Sequence, residues 1–204
     1  MPPSQLPQNL KFGPFTVTSQ VFHVSKSRLS YGLVNLKPLL PGHVLICPVR
    51  CVPRLSQLSV QETSDLFITV RRVSRMLERV FHASALNVAV QDGVDAGQSV
   101  PHVHVHIIPR KADDLKDRGG GDVIYEMMDG EEGNLGDAFL DMQRRRRERT
   151  NRRESAGGLD ADTRKPRSEE EMREEAQWLS SEMEKEVKEE DPLTTATTTT
   201  KIAT

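Results

Sequence analysis

The chain has 204 residues, of which 36% are hydrophobic, and a formal net charge of −2. A net charge this close to zero does not indicate a polyanionic partner such as nucleic acid, and the sequence has no run of about 18 apolar residues that would span a membrane. The N-terminal residues have no basic flank and no apolar core, so they do not predict a signal peptide. Cys47 and Cys51 are the two cysteines, and both are expected to be reduced thiols in the cytoplasm, with the nucleus as a second compartment.

Apolar residues are concentrated in 10–110, whereas charged residues, glycine and threonine dominate 111–204. This contrast predicts one folded domain followed by a long tail that is partly disordered. The predicted organisation is a flexible terminus at 1–9, a folded domain at 10–128, a charged disordered linker at 129–167, an amphipathic helix at 168–190 and a disordered threonine-rich tail at 191–204.

Short stretches of β-branched and aromatic residues, separated by turn residues, predict six strands. They cover residues 12–17, 21–24, 31–36, 43–47, 85–91 and 103–108.

Two helices are predicted from capping residues and apolar periodicity. Ser59 and Glu62 have the spacing of a capping box, and apolar residues recur every three or four positions as far as residue 80. Ser168 and Glu171 repeat the capping pattern ahead of a narrower apolar stripe, and that second helix is expected to pack back on the domain. Strands grouped around one long helix predict an α+β fold in which an antiparallel meander sheet packs on the helix.

Three histidines, His102, His104 and His106, alternate with apolar residues in the last predicted strand. Because side chains alternate between the faces of a strand, the three imidazoles are expected to share one face, and the apolar residues are expected to meet the helix. Two kinds of chemistry fit such a row. Imidazoles at i and i+2 bind zinc, and an imidazole nitrogen attacks phosphorus while its neighbours donate hydrogen bonds or protons.

The loop that precedes these histidines favours phosphate chemistry. Residues 96–101 are small and polar, and Gly97 would let a phosphate approach the main chain. The carboxylates nearest in sequence, Asp92 and Asp95, are better explained as turn residues than as metal ligands.

Residues 98–110, QSVPHVHVHIIPR, resemble the histidine triad motif. Segments 35–48, 91–98, 124–126 and 167–172 also resemble the fragile histidine triad branch of that family, so the likeness extends over about residues 10–128. The resemblance implies a half-barrel-like antiparallel sheet, a homodimer, and hydrolysis of bis(5′-adenosyl) triphosphate to AMP and ADP through a covalent nucleotidyl-histidine. It implies no tightly bound cofactor, although Mg²⁺ or Mn²⁺ is expected to accompany the substrate.

The resemblance also implies a role for each matching residue. His104 is the nucleophile, His106 contacts phosphate and aids departure of the leaving group, and His102 orients the nucleophile. His43 is a fourth histidine near the site. The residues expected to bind substrate are Phe15 near the base, Asn35 at the ribose, Gln91 near the phosphate chain, and the phosphate-wrapping loop Gly97, Gln98, Ser99 and Val100, whose backbone amides are expected to face the phosphates.

Three other functions remain open from the sequence. The first is hydrolysis of nucleoside phosphoramidates or adenylyl conjugates by another branch of the same family. The second is a nucleotide-sensing protein that signals through its substrate-bound form, and the third is a zinc-binding module. The arginine run at 144–147 is interpreted as a solvated segment, and no role is assigned to Tyr125.

Overall fold

The computed structural model describes residues 9–130, 136–137, 139–142, 144 and 166–190. Most positions predicted to be disordered, in 1–9, 129–167 and 191–204, lie outside this description. Within 129–167, however, residues 136–137, 139–142 and 144 are helical, and Phe139 is fully buried. Within the described residues, no helix is both long enough and apolar enough to cross a membrane.

The chain begins with a small hairpin, β1 (Lys11–Phe12) and β2 (Phe15–Thr16). A single strand was predicted over 12–17, and that prediction is wrong because the chain turns at Gly13 and Pro14. Gly13 has a φ of +55°, a backbone conformation that residues other than glycine rarely adopt.

The main sheet has five antiparallel strands in the order β3-β4-β5-β7-β6. They are β3 (Val21–Val24), β4 (Ser30–Val34), β5 (Val44–Pro48), β6 (Ala85–Val90) and β7 (Val105–Arg110). Strands β3 to β5 form a meander, and β7 then inserts between β5 and β6, where Ile107 pairs with Val44 on one side and Val88 on the other. The strand that carries His106 is therefore central and buried, whereas β6 is an edge.

Helix α1 (Val60–Phe81) joins the two halves of the sheet. The predicted capping box is present, since the Ser59 side chain accepts from the Glu62 amide and the Glu62 carboxylate accepts from the Ser59 amide. α1 packs on β4, β5 and β7. Val105 and Ile107 lie in the same core cluster as the apolar face of α1, so the predicted contact between these residues and the helix is confirmed.

The opposite face of β7 meets a second helix, α2 (Val123–Asp129). Ile108 packs there with Leu115, Ile124, Met127 and Met128. The sequence does not predict this helix, because its seven residues contain too few turns for an apolar period to stand out.

Helix α3 (Glu169–Glu190) packs on α1, β3 and β4, as predicted for the second helix. Its predicted capping box is present, with the Glu171 amide donating to Ser168 Oγ at 3.2 Å. The buried residues Met172, Ala176, Leu179 and Met183 face the core.

Candidate active site

The three histidines do not form one even row along a strand. Strand β7 starts at Val105, so His106 lies in the strand while His102 and His104 lie in the segment before it. The prediction of a single strand over 103–108 fails because the Val103 amide donates to Val52 O at 2.8 Å instead of joining the sheet. The His104 and His106 rings are nevertheless adjacent, with their centroids 4.8 Å apart.

His102 has both ring nitrogens engaged by the main chain. Nδ1 accepts from the Gly13 amide at 3.0 Å, and Nε2 donates to Pro48 O at 2.8 Å. An amide only donates and a carbonyl only accepts, so these contacts fix the tautomer and the orientation of the ring. His102 therefore has no free lone pair to offer a metal ion.

His104 carries the lone pair that an attack on phosphorus requires. Its Nδ1 donates to the carbonyl oxygen of His102 at 2.7 Å, which leaves Nε2 of the neutral ring unprotonated. The Phe12 ring packs edge-on against His104 with centroids 5.1 Å apart, which restrains the imidazole from the side.

His43 fixes the proton of His106. The Leu39 amide donates to His43 Nδ1 at 3.1 Å, so the proton of neutral His43 lies on Nε2 and is donated to His106 Nδ1 at 2.9 Å. The proton of His106 is then on its own Nε2, an atom that is buried and has no hydrogen-bond partner among the described residues. A buried donor without a partner is costly unless a ligand oxygen satisfies it.

Burial keeps all four histidines neutral near pH 7, so that each ring has one N–H and one nitrogen with a lone pair. Desolvation lowers the pKa of His43 to about 3 and that of His102 to about 4. It also lowers the pKa of His104 and, to a greater extent, that of His106. The Arg167 guanidinium further lowers the pKa of His43.

Asn35 and Gln91 are both buried, and Asn35 lies beside His43. Asn35 Oδ1 accepts from the Lys37 amide at 2.9 Å, so its amide nitrogen Nδ2 faces His43 Nε2 at 3.2 Å. Both of these nitrogens are donors, so the contact leaves the Asn35 amide hydrogens without a strong acceptor. Gln91 Nε2 donates to Met128 O at the long distance of 3.4 Å.

The loop predicted to wrap phosphates is closed on itself. The Gly97 amide donates to Val94 O at 2.9 Å and the Gln98 amide donates to Gly93 O at 3.1 Å. These two amides are therefore engaged within the loop, and the prediction that the amides of 97–100 face the phosphates stays a prediction. The Val100 side chain lies in the core and is 1% exposed, so it contributes no surface to this loop.

The remaining predicted contacts lie on two sides of the site. Gln98 Nε2 donates to Pro53 O at 2.8 Å, and Ser99 Oγ accepts from the Gly136 amide at 3.3 Å. Phe15 is buried and stacks on Phe139, with ring centroids 4.8 Å apart.

Several residues that position the site were not predicted. They are Phe12, which touches His102 and His104, and the residues that supply backbone partners: Gly13, Leu39, Pro48 and Val52. Backbone groups are the same in almost every residue, so the sequence carries no signal for them. Asp92 fixes the start of the loop that precedes the histidines. Its carboxylate accepts hydrogen bonds from the Leu55 amide at 2.7 Å and from Arg54 Nε at 3.3 Å.

Cys47 and Cys51 are both free thiols. Among the described residues, no three His, Cys, Asp or Glu side chains are grouped as a metal site.

Comparisons with known proteins agree with this geometry. The HIT domain model matches residues 17–113. The bis(5′-nucleosyl)-tetraphosphatase [asymmetrical] of Schizosaccharomyces pombe is 50% identical over 189 residues, which are 89% of this chain and 100% of that protein. The bifunctional bis(5′-adenosyl)-triphosphatase/adenylylsulfatase FHIT of Arabidopsis thaliana is 49% identical over 125 residues, which are 61% of this chain and 67% of that protein.

Among solved structures, the Plasmodium falciparum diadenosine triphosphate hydrolase in complex with cyclomarin A is similar, with a TM-score of 0.60 and 27% identity. The match covers 88% of this chain and 86% of that chain. The chain therefore belongs to the histidine triad (HIT) family, within its fragile histidine triad branch.

Proposed function

We propose that this protein hydrolyses dinucleoside polyphosphates, cleaving bis(5′-adenosyl) triphosphate to AMP and ADP through a nucleotide bound covalently to His104. The names of the similar proteins support the substrate class. The observation that carries the mechanism is the hydrogen bond from His104 Nδ1 to His102 O, because it leaves a lone pair on Nε2.

The first step forms a bond between His104 Nε2 and the α-phosphorus. The bond from that phosphorus to the bridging oxygen breaks, and its electron pair leaves with ADP. His104 keeps its proton on Nδ1, so the ring becomes cationic, and the His102 carbonyl stabilises that charge. Water then attacks the phosphorus, and the bond between phosphorus and Nε2 breaks with its electron pair returning to the ring. AMP leaves with the water oxygen, and one water proton is released to solvent.

His106 supplies a hydrogen bond and not a proton in this scheme. Its Nε2–H is a neutral donor, and ADP leaves as an anion that does not have to be protonated. A donor aimed at the phosphoryl oxygens stabilises charge as the bridging bond breaks. The Gln91 amide, the Ser99 hydroxyl and the Asn35 amide are the further proposed donors to the phosphate chain and the ribose. The Phe15 ring is the proposed contact of the base.

The proposal is tested by rapid quenching and mass spectrometry of the intact protein. We expect an adenylyl group on His104 during turnover, and we expect His104→Ala to lose almost all turnover while it still binds substrate. His82→Asn is the matched control, since His82 is exposed and lies at the C-terminus of α1. Near-normal turnover by His104→Ala would refute the assignment of the nucleophile.

The phosphate-chain length follows from the same mechanism. One nucleoside monophosphate always stays on His104, so a triphosphate releases ADP first and a tetraphosphate releases ATP first. We propose the triphosphate as the preferred substrate. The S. pombe relative is named for a tetraphosphate, so product analysis with both substrates is the direct comparison.

A second candidate activity is hydrolysis of adenylyl conjugates, which the adenylylsulfatase in the name of the Arabidopsis relative favours. The same attack on an adenylyl phosphorus would release sulfate in place of ADP. Sulfate release from 5′-adenylyl sulfate, measured beside ADP release from the dinucleotide, ranks the two activities.

We further propose that the protein is a homodimer. Strand β6 is an edge of the sheet, and Val88 on it is 48% exposed. α1 contacts β6 and exposes Phe67 and Ile68. An unpaired edge beside exposed apolar side chains is typical of a surface that a partner covers.

The conditions of the reaction are proposed on chemical grounds. Mg²⁺ or Mn²⁺ bound to the substrate would screen phosphate charge, so activity is expected to fall when the cation is chelated.

The two free thiols fit a reducing compartment, and we propose the cytoplasm and the nucleus, which imaging of a tagged protein would test.

A further inference from the structure

Phe139 lies where the proposed function places the nucleobase. It is fully buried, and its ring stacks on that of Phe15 with centroids 4.8 Å apart and an angle of 17° between the ring planes. This near-parallel arrangement is the one that a nucleobase adopts on an aromatic side chain.

A second contact ties the same segment to the proposed phosphate side. The Gly136 amide, three positions before Phe139, donates to Ser99 Oγ at 3.3 Å. Two groups assigned to substrate, the Phe15 ring and the Ser99 hydroxyl, are therefore both contacted by residues from one short stretch of chain.

The stretch also lies close to the reacting atoms. The Phe139 ring contacts Phe12 with centroids 5.6 Å apart, and Phe12 contacts His104. His104 and His106 are 2% and 3% exposed, so a dinucleotide cannot reach them unless some covering group moves.

We propose that Phe139 is an internal competitor of the nucleobase. This inference rests on the proposed function, because that function assigns Phe15 to the base. In this arrangement Phe139 fills the base position and the Gly136 amide ties the segment to Ser99, and substrate binding displaces the Phe139 ring. The apparent affinity is then lowered by the fraction of molecules in which the segment is in place.

A clamp formed by Phe15 and Phe139 around the base would change the affinity in the opposite direction. If the base were held between Phe15 and Phe139, removal of the Phe139 ring would weaken binding. The sign of the change in affinity therefore decides between competition and clamping.

The test compares Phe139→Ala with Leu140→Ala, a control on the neighbouring residue, which is 56% exposed. We expect Phe139→Ala to lower both the KM for bis(5′-adenosyl) triphosphate and the Kd for AMP by about threefold to tenfold, the range set by one aromatic pair. Leu140→Ala should leave both constants unchanged. Unchanged or weaker binding by Phe139→Ala overturns the proposal.

Phe139→Leu guards against a folding defect, because it keeps apolar volume and removes the stacking. Phe139→Leu should lower KM and Kd, as Phe139→Ala does. A loss of folded protein would not tighten binding. Hydrogen exchange adds an independent measurement on the wild-type protein. We expect the amides of residues 139–142 to exchange faster when AMP is bound, and unchanged or slower exchange would contradict displacement.

These measurements separate the two proposals. If wild-type protein turns over the dinucleotide and the Phe139 variants bind no more tightly, only the competitor proposal fails. If wild-type protein shows no turnover and no nucleotide on His104, the proposed function fails, and the AMP affinities still report on Phe139.

Discussion

The Nε2 atom of His43 lies 2.9 Å from Nδ1 of His106, and the proton in this hydrogen bond belongs to His43. The direction follows from the Leu39 amide, which occupies the other nitrogen of His43. His43 thereby determines that His106 presents N–H, and not a lone pair, on the side away from His43.

Replacing His43 with alanine should impair catalysis more than binding. Without the His43 donor, His106 can adopt either tautomer, and we expect kcat to fall by about tenfold to a hundredfold with little change in KM, the usual effect of losing an orienting partner. The measurement compares bis(5′-adenosyl) triphosphate with the p-nitrophenyl ester of AMP. Because nitrophenolate has no phosphoryl oxygens for the His106 N–H to contact, the loss of kcat on the ester should be smaller. Equal losses on both substrates would contradict the role given to His106.

Gly97 is expected to be required for the position of Gln91. Its φ is +86°, and a Cβ there would lie 2.5 Å from Gln91 Nε2. Gly97→Ala should therefore lower kcat/KM for the dinucleotide beyond any effect on stability. Gly120→Ala is the matched control, because Gly120 has a φ of +102° and no described atom lies near the added Cβ. This variant therefore introduces backbone strain without a side-chain clash. Equal kinetics for the two variants would show that the contact with Gln91 is unimportant.

The buried histidines should make the protein sensitive to acid. Their pKa values are lowered on folding from about 6.5, to about 4 for His102 and about 3 for His43, so the unfolded chain binds more protons. The stabilisation is complete above pH 6.5 and is lost as the pH falls towards 4, by up to about 1.4 kcal/mol per pH unit for each histidine. Urea unfolding between pH 7 and pH 4.5 measures this slope.

A variant away from the active site checks that assignment. Burial also lowers the pKa of His23 to about 4, so His23→Gln should reduce the acid slope by the contribution of one histidine. A free energy of unfolding that stays flat from pH 7 to pH 4.5 would contradict the depressed pKa values.

Helix α3 should depend on Arg79 for its attachment to α1. Arg79 pairs with Glu182 at 2.7 Å and lies 3.5 Å from the buried carboxylate of Glu186. Arg79→Ala should lower the free energy of unfolding by about 1–3 kcal/mol, because it leaves a buried acceptor with fewer partners. Arg173→Ala removes an exposed pair with Glu170 on the same helix and should cost under about 1 kcal/mol. Thermal and urea unfolding of both variants provide the comparison.

The edge strand provides a test of the proposed dimer. Val88→Lys places a charge on an exposed position of β6 and is expected to shift the protein towards monomer. Val94→Lys is the control, since Val94 is 81% exposed and lies outside the sheet. Light scattering after size-exclusion chromatography gives the mass of each, and a dimer that persists in Val88→Lys would place the interface elsewhere.

Patterns that repeat along the chain predicted much of the fold. α1 has a capping box and a regular apolar face, and both are present as predicted. The start of β7 and the β1–β2 hairpin were mispredicted, because contacts between distant segments decide them: the Val103 amide pairs with Val52 O, and the Gly13 amide with the His102 ring. Such pairings leave no period in the sequence.

The chemical identity of the site was visible in the sequence, but its protonation pattern was not. The motif identifies which histidines belong to the site. The ring nitrogens that carry their protons depend on Leu39 N and Pro48 O, which are ordinary backbone atoms. The stacking of Phe139 on Phe15 was equally hidden, because the two rings are far apart along the chain.

The backbone anchoring of the imidazoles has a consequence for how this protein tolerates mutation. The amide hydrogens of Gly13 and Leu39 and the carbonyls of Pro48 and His102 set which nitrogen of His102, His104 and His43 carries hydrogen. Any amino acid provides the same carbonyl, and any except proline the same amide hydrogen. Leu39 and Pro48 are buried, so a residue that packs in the same space can replace either one without altering these proton positions, provided that the local backbone keeps its path.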